Sequence, residues 1–256
     1  MSEKLYADET IRVPSAGGRP GRPRWRRVLR RVGRASVTAV VAVLAALGLL
    51  VGLTPSVNDA ALRVTSQAAA TGAGQLLSAP PARLASAVVA VEDHRFYQHL
   101  GVDPLAVARV AAGAVRGRDE GGSTIDIQLA KVLYTGGRAD WRAQLEQVGL
   151  ALKLDRRYSK KTLLTMYLNV VYFGHGFFGA AAAAQGYFGV GPDGLDWGQA
   201  ALLAGLLQDP DGDDPIDHPH QALARRNYAL ARLADVGALS DGDAHRFEAA
   251  GLELRA

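Results

Sequence analysis

The stretch Val91-Glu-Asp-His-Arg-Phe-Tyr-Gln-His-Leu-Gly101 is followed twenty residues on by Gly121-Gly-Ser-Thr-Ile-Asp-Ile-Gln-Leu-Ala-Lys131, and these two runs decide the reading of the chain. Upstream of the first, Pro80-Pro81 opens a helix, since proline is tolerated in a first turn. Leu84, Val88, Glu92 and Phe96 then recur every four residues, on one face of that helix and its exit. Glu92 therefore sits where an apolar helix meets a turn. Partial burial there would raise its pKa toward the range useful to a general base. The competing reading is that Glu92 or Asp93 merely closes the helix or pairs with Arg95. In the second run, two glycines let backbone approach a ligand, and Ser123 or Thr124 can cap the following helix, whose first amides favour an anion. Gln128 and Lys131, three apart, share a face of that helix. A Walker loop is excluded, because Lys131 lies nine residues beyond Gly122.

Outward from this centre the pattern stays helical. Asp103-Pro104 is an N-cap and first-turn proline leading into LAVARVAAGAVRG. Helical periodicity predicts further helices over about 124–134, 139–155, 160–171, 179–187, 196–208 and 218–236. Alternating strand patterns are nearly absent, so the expected fold class is mainly α.

Toward the N-terminus the composition changes. Residues 1–53 carry ten Lys/Arg against Glu3, Asp8 and Glu9, a net +7, which leaves −3 for the remainder of a chain whose total is +4. A nucleic-acid binder would carry its positive charge on the folded domain, so that class is excluded. Residues 1–34 read as a basic arm, with Gly17-Gly18, Pro20 and Pro23 among the arginines. Ala35–Leu53 follows without a charge; as a helix it covers about 28 Å, close to a bilayer's hydrocarbon thickness. The arginines before it place the N-terminus in the cytoplasm and the rest outside. An arm of thirty-four residues is long for a cleaved signal peptide, so an uncleaved single-pass anchor is expected. Residues 54–79 read as a polar, small-residue linker, 80–240 as the folded domain and 241–256 as a tail. The chain has no cysteine, which excludes disulfides and thiolate chemistry. Neither His94, His99, His175, His218 nor His220 has zinc-site spacing, so no metal ligand is assigned.

Taken together, E-D-x-x-F-x-x-H-x-G and G-G-S-T-I-x-x-Q-L-A-K resemble the first two motifs of the glycosyltransferase domain shared by bifunctional penicillin-binding proteins and monofunctional peptidoglycan transglycosylases. The block Arg156-Arg-Tyr-Ser-Lys-Lys-Thr-Leu-Leu-Thr-Met-Tyr-Leu-Asn169, then Val171–Gly174, Tyr187–Gly189 and the leucine-alanine segment near 200–215, continue the similarity in order over about 80–240. The resemblance implies a lysozyme-like glycosyltransferase domain on one transmembrane helix, acting on lipid II and the growing lipid-linked strand. It implies Glu92 as the base that activates the acceptor sugar's 4-hydroxyl, with inversion and departure of undecaprenyl pyrophosphate. Lys131, Arg109 and Arg142 are its candidate partners for the pyrophosphate. Asp93, Phe96, His99, Gly122, Ser123, Thr124, Gln128, Tyr167 and Asn169 complete the expected substrate-binding set. A divalent cation, Mg or Mn, at the pyrophosphate is compatible with the family. Transpeptidases and other cell-wall synthesis proteins are the implied partners, since no S-x-x-K transpeptidase motif occurs.

Two departures stand out. The family's third motif has a glutamate eight residues before the acid of the E/D-R-R-Y-S block. Counted from Asp155 that place falls on Gln147; aligned from Arg142 it falls on Glu146, with one extra residue absorbed by a π-bulge. Glu146 is the expected second catalytic residue. The other departure is Asp126-Ile127, where the family usually has threonine and glutamine. Two alternatives stand beside this reading: a glycan-cleaving lytic transglycosylase or lysozyme, which would share the fold and use one glutamate but has no need of the G-G-S-T and lysine-bearing helix, and a lipid II-binding scaffold with catalysis lost at Glu146/Gln147, against which the intact Glu92 argues.

Overall fold

The computed structural model describes residues 24–106 and 123–255, so Arg109 and Gly122 lie outside the described residues, as does most of the helix expected after Pro104. The chain divides into two units, Met1–Ala46 and Leu47–Ala256. Helix α1, Arg24–Leu53, contains the expected apolar run; Gly33–Leu53 is long and apolar enough to cross a membrane, and most of its larger side chains from Val37 to Leu53 are exposed, with Leu47, Leu50 and Val51 half-buried.

The second unit is mainly α. It contains α2 (Ala60–Thr71), α3 (Ala82–Glu92), α4 (Ile125–Tyr134), α5 (Trp141–Arg157), α6 (Lys160–Val170), α7 (Ala180–Phe188), α8 (Trp197–Leu206), α9 (Pro219–Asp235) and α10 (Asp241–Ala249). Among the described residues the β structure is a single bridge, Tyr172 with Phe178. Side-chain caps explain where several helices start: Thr124 accepts from Ile127 N, Asp140 from Arg142 N and Ala143 N, Ser159 from Thr162 N, and Asp196 forms a capping box with Gln199. Helix α8 is apolar on every side and fully buried from Ala200 to Leu206, packed between α3 and α9. Helix α4 packs on α5 and α6. Apolar burial at these contacts, worth roughly 25 cal/mol per Å², supplies the main cohesion.

Both flanks of the expected domain join its core. Residues 54–79, read as a linker, hold α2, which buries Ala60, Val64 and Ala68 and packs on α6. Alanines on the inner face give too weak an apolar stripe to be seen in sequence. At the other end, α10 and the chain after it are clasped by the buried Arg226 of α9, whose guanidinium donates to the carbonyls of Glu248, Ala250 and Gly251. Arg255 N donates to Tyr187 O.

Candidate active site

The turn after α3 is held against the start of α4 by three side chains that the sequence analysis singled out. Asp93 accepts from Ile125 N at 3.2 Å and from His99 Nε2 at 2.9 Å, both of them buried contacts. Thr124 Oγ1 donates to Gly101 O at 2.7 Å. Gly101 has φ +86°, and a Cβ there would lie 2.6 Å from Ala151 O, so both its backbone angle and the packing of α5 require glycine. Phe96 is fully buried beneath this turn, edge-on to His99.

On its other side the turn presents Glu92, the last residue of α3. Gln128 Nε2 donates to Glu92 Oε2 at 2.7 Å, and Tyr167 OH donates to Gln128 Oε1 at 2.5 Å. The tyrosine hydroxyl thus fixes the amide so that its NH₂ faces the carboxylate. Burial raises the Glu92 pKa, partly opposed by the Gln128 hydrogen bond and the Arg225 charge; the Asp93 charge adds to the rise. Glu92 is only half-buried, so a desolvated carboxylate with one fixed donor remains open on one side. That is the disposition a general base needs. Tyr167, fully buried, has its pKa raised well above the usual value by burial and by the Glu92 charge, and so stays protonated as the donor.

A second, unforeseen network lies beneath. Lys160 Nζ sits 3.0 Å from Asp126 Oδ2, 2.7 Å from Asp155 Oδ1 and 4.5 Å from the centre of the Phe96 ring. Asp126 is fully buried, and burial raises its pKa to about 6 against the opposing charge of Lys160. In sequence Asp126 is distinguished only by standing where the family usually has threonine. Its partners are thirty or so residues away on other helices, and no local signal pairs them.

The remaining expected residues are dispersed. Ser123 is exposed at the start of α4, and Lys131 is half-buried one turn beyond Gln128. Asn169 is engaged by backbone: its Oδ1 accepts from Leu77 N at 2.7 Å and its Nδ2 donates to Leu77 O at 3.1 Å. Arg142 is exposed, its guanidinium 5.3 Å from the Trp141 ring centre. Helix α5 is regular throughout, without the bulge expected between Glu146 and Asp155. Gln147 consequently points inward, buried, and its Nε2 donates to Thr135 Oγ1 and Arg138 O, each at 2.8 Å. Glu146, half-buried, faces Arg138 at 3.4 Å. Gln147→Glu puts a carboxylate against a carbonyl oxygen in place of a donor, and is expected to lower stability by about 3 kcal/mol. Thermal unfolding beside Gln147→Ala checks this. A Glu variant that melts like the native protein would show that the pocket can accept a carboxylate.

Asp93, His99 and Asp126 bring one donor atom each within 4.8 Å of one another, and so do His175, Asp214 and Asp217. The first group is a poor fit for a divalent cation, although Asp126 Oδ1 and His99 Nδ1 are buried without partners. Asp93 is committed to His99 and Ile125 N, and the Lys160 ammonium already supplies the cation at Asp126.

Residues 65–234 match the profile of the family described as Transglycosylase. The chain is 42% identical over 159 residues to penicillin-binding protein 1A of Aquifex aeolicus, covering 61% of this chain and 22% of that one. Penicillin-binding protein 1A of Escherichia coli is 36% identical over 159 residues, with 61% and 19% covered. A Cupriavidus necator protein named as a transglycosylase is 37% identical over 166 residues, with 64% and 71% covered. A match over most of its length, joined to the helical domain and the glutamate at the α3–α4 junction, places the chain in the transglycosylase family. It spans about a fifth of the length of the penicillin-binding proteins it matches.

Proposed function

We propose that this chain is a membrane-anchored peptidoglycan glycosyltransferase that polymerises lipid II, with α1 spanning the membrane, the arginine arm inside and the helical domain outside. The observation that carries the reading is the Glu92–Gln128–Tyr167 chain at the mouth of the α3–α4 junction, in a member of the transglycosylase family. A sugar hydroxyl is too weakly acidic to attack unaided. Glu92 takes the proton of the acceptor's 4-hydroxyl as its oxygen attacks the anomeric carbon of the lipid-linked strand. The carbon–oxygen bond to undecaprenyl pyrophosphate breaks with inversion. Lys131, Arg142 and Arg109 are the cations proposed to receive the pyrophosphate charge, and Glu146 is the carboxylate proposed to assist at the donor. The fold is proposed to be lysozyme-like, and the protein to work beside transpeptidases that cross-link its product.

A second reading has its own support. The regular register of α5 leaves Gln147, not a carboxylate, on the inner face of that helix. This favours a protein that binds lipid II but catalyses weakly. Incubating the full-length protein separately with lipid II and with finished peptidoglycan distinguishes the cases. The proposed function predicts lipid II consumption with polymer formed and peptidoglycan untouched. Loss of peptidoglycan instead would identify a lytic enzyme, and lipid II binding without turnover would identify the scaffold.

A further inference from the structure

Beneath the Glu92 turn, Asp126 Oδ1 and His99 Nδ1 are buried and have no partner among the described residues. Both side chains are enclosed, 0% exposed for Asp126 and 1% for His99. Buried polar atoms are paired almost without exception, so two orphans on neighbouring side chains call for something between them. The side chains are close: Asp93, His99 and Asp126 each bring one ligating atom within 4.8 Å of the others. The remaining polar atom of each is already committed. His99 Nε2 donates to Asp93 Oδ2 at 2.9 Å, and Asp126 Oδ2 accepts from Lys160 Nζ at 3.0 Å.

What is left over is a pair of acceptors. An imidazole with its hydrogen on Nε2 has a bare lone pair on Nδ1, and an ionised carboxylate oxygen can only accept. Two desolvated acceptors without a donor are a costly arrangement. One proton satisfies both, since the carboxyl can donate it to Nδ1 or the imidazole can donate it to Oδ1. The surrounding charges favour its uptake. Lys160 of α6 stands between Asp126 and Asp155 of α5, and Asp93 lies on the far side of His99, so three carboxylates share one ammonium. Burial, with the Asp155 charge, pushes the Asp126 pKa up to about 6 against the opposing Lys160 and His99.

The place of the pair gives this proton a mechanical role. Thr124 Oγ1 bonded to Gly101 O, and Ile125 N bonded to Asp93, already tie the start of α4 to the turn. A bond from Asp126 to His99 adds a third tie on the next residue. Gln128, which meets Glu92, lies two residues further on.

We infer that His99 and Asp126 hold one proton between them, directly or through one enclosed water, and that Asp126 is thereby a positioning residue for the Glu92–Gln128 contact. It acts through His99 and the first turn of α4. The effect on turnover rests on the proposed glycosyltransferase reading; the proton itself does not.

The test uses full-length protein labelled with nitrogen-15 histidine, followed from about pH 5 to about pH 8. His99 is recognised by its enclosed, slowly exchanging Nε2 hydrogen. In the native protein its Nδ1 signal should change from a hydrogen-bonded to a bare nitrogen as pH rises through about 6. Asp126→Asn supplies a permanent donor: its amide can face Nδ1 while its oxygen keeps Lys160. The Nδ1 signal of that variant should stay hydrogen-bonded throughout. In lipid II polymerisation, the kcat of Asp126→Asn relative to native should rise about 3-fold or more between about pH 5.5 and about pH 7.5, with KM moving less. A native Nδ1 signal indifferent to pH, or one equally responsive in Asp126→Asn, overturns the shared proton. A flat kcat ratio overturns the positioning role. Native protein that does not turn over lipid II overturns the proposed function and the positioning role together, while the nitrogen signals still decide the proton.

Discussion

Glu92→Gln is expected to lower lipid II polymerisation by about 10²-fold or more while leaving the fold in place. Glutamine keeps the size of the side chain and can still meet Gln128 Nε2 through its own carbonyl oxygen, so the Tyr167–Gln128 arrangement survives. What disappears is the base. Burial makes this carboxylate a better proton acceptor than an exposed one, and an amide has no comparable basicity. The melting temperature should hold or rise, because a partly desolvated charge has been removed. Initial rates on lipid II, with thermal unfolding as the control, decide the matter. A Glu92→Gln protein that polymerises at near-native rate would sink the assignment even though family membership stands. Glu146→Gln in the same assay tests the second carboxylate; its half-buried position and Arg138 partner predict a smaller loss than at Glu92.

Lys160→Met should be the most destabilising single change, costing about 3–5 kcal/mol, because it leaves Asp126 and Asp155 in a buried site without their cation. Asp126→Asn is the informative partner. The folded pKa of Asp126 is raised from 3.8 to about 6, so between about pH 4 and pH 6 the folded state holds a proton that the unfolded chain has released. Its contribution to stability is therefore present below about pH 4 and is lost as pH rises through 6. Above that, the buried carboxylate costs about 3 kcal/mol, from a shift of roughly two units at 1.36 kcal/mol each. Asp126→Asn should thus be close to the native protein at pH 4.5 and relatively more stable at pH 7.5, less what the lost Lys160 contact contributed. Lys160→Met should conversely be milder at the lower pH. Thermal midpoints at the two pH values check both. Identical pH dependence in the native and Asp126→Asn proteins would show that this carboxylate does not titrate in that range.

Much of the architecture follows from local chemistry. Asp140, Ser159 and Asp196 each cap a helix by bonding to amides two or three residues on, and the apolar stripe from Leu84 to Phe96 marks α3, so these elements are legible in a window of a dozen residues. The charge asymmetry of the first fifty residues and the run Ala35–Leu53 likewise need no partner to be read. Glu92 and Gln128 stand in the two quoted motifs, and the fold brings their side chains within hydrogen-bond distance.

The tertiary structure alone decided which neighbours those residues have. That Tyr167 orients Gln128, that Lys160 lies between Asp126 and Asp155, and that Gln147 rather than Glu146 faces inward depend on how α4, α5 and α6 pack. The α2 segment belongs to the core because small alanines fit a close helix contact, a property of the partner surface and not of its own weak periodicity. The sequence by itself determined the helices, the apolar N-terminal segment and the motif glutamate, because backbone hydrogen bonds, caps and apolar runs act over a few residues. The raised pKa of Glu92 was expected from its place at the end of an apolar stripe, but the burial of Asp126, and with it that group's altered acidity, came only with the fold, because desolvation depends on every element that closes over a group.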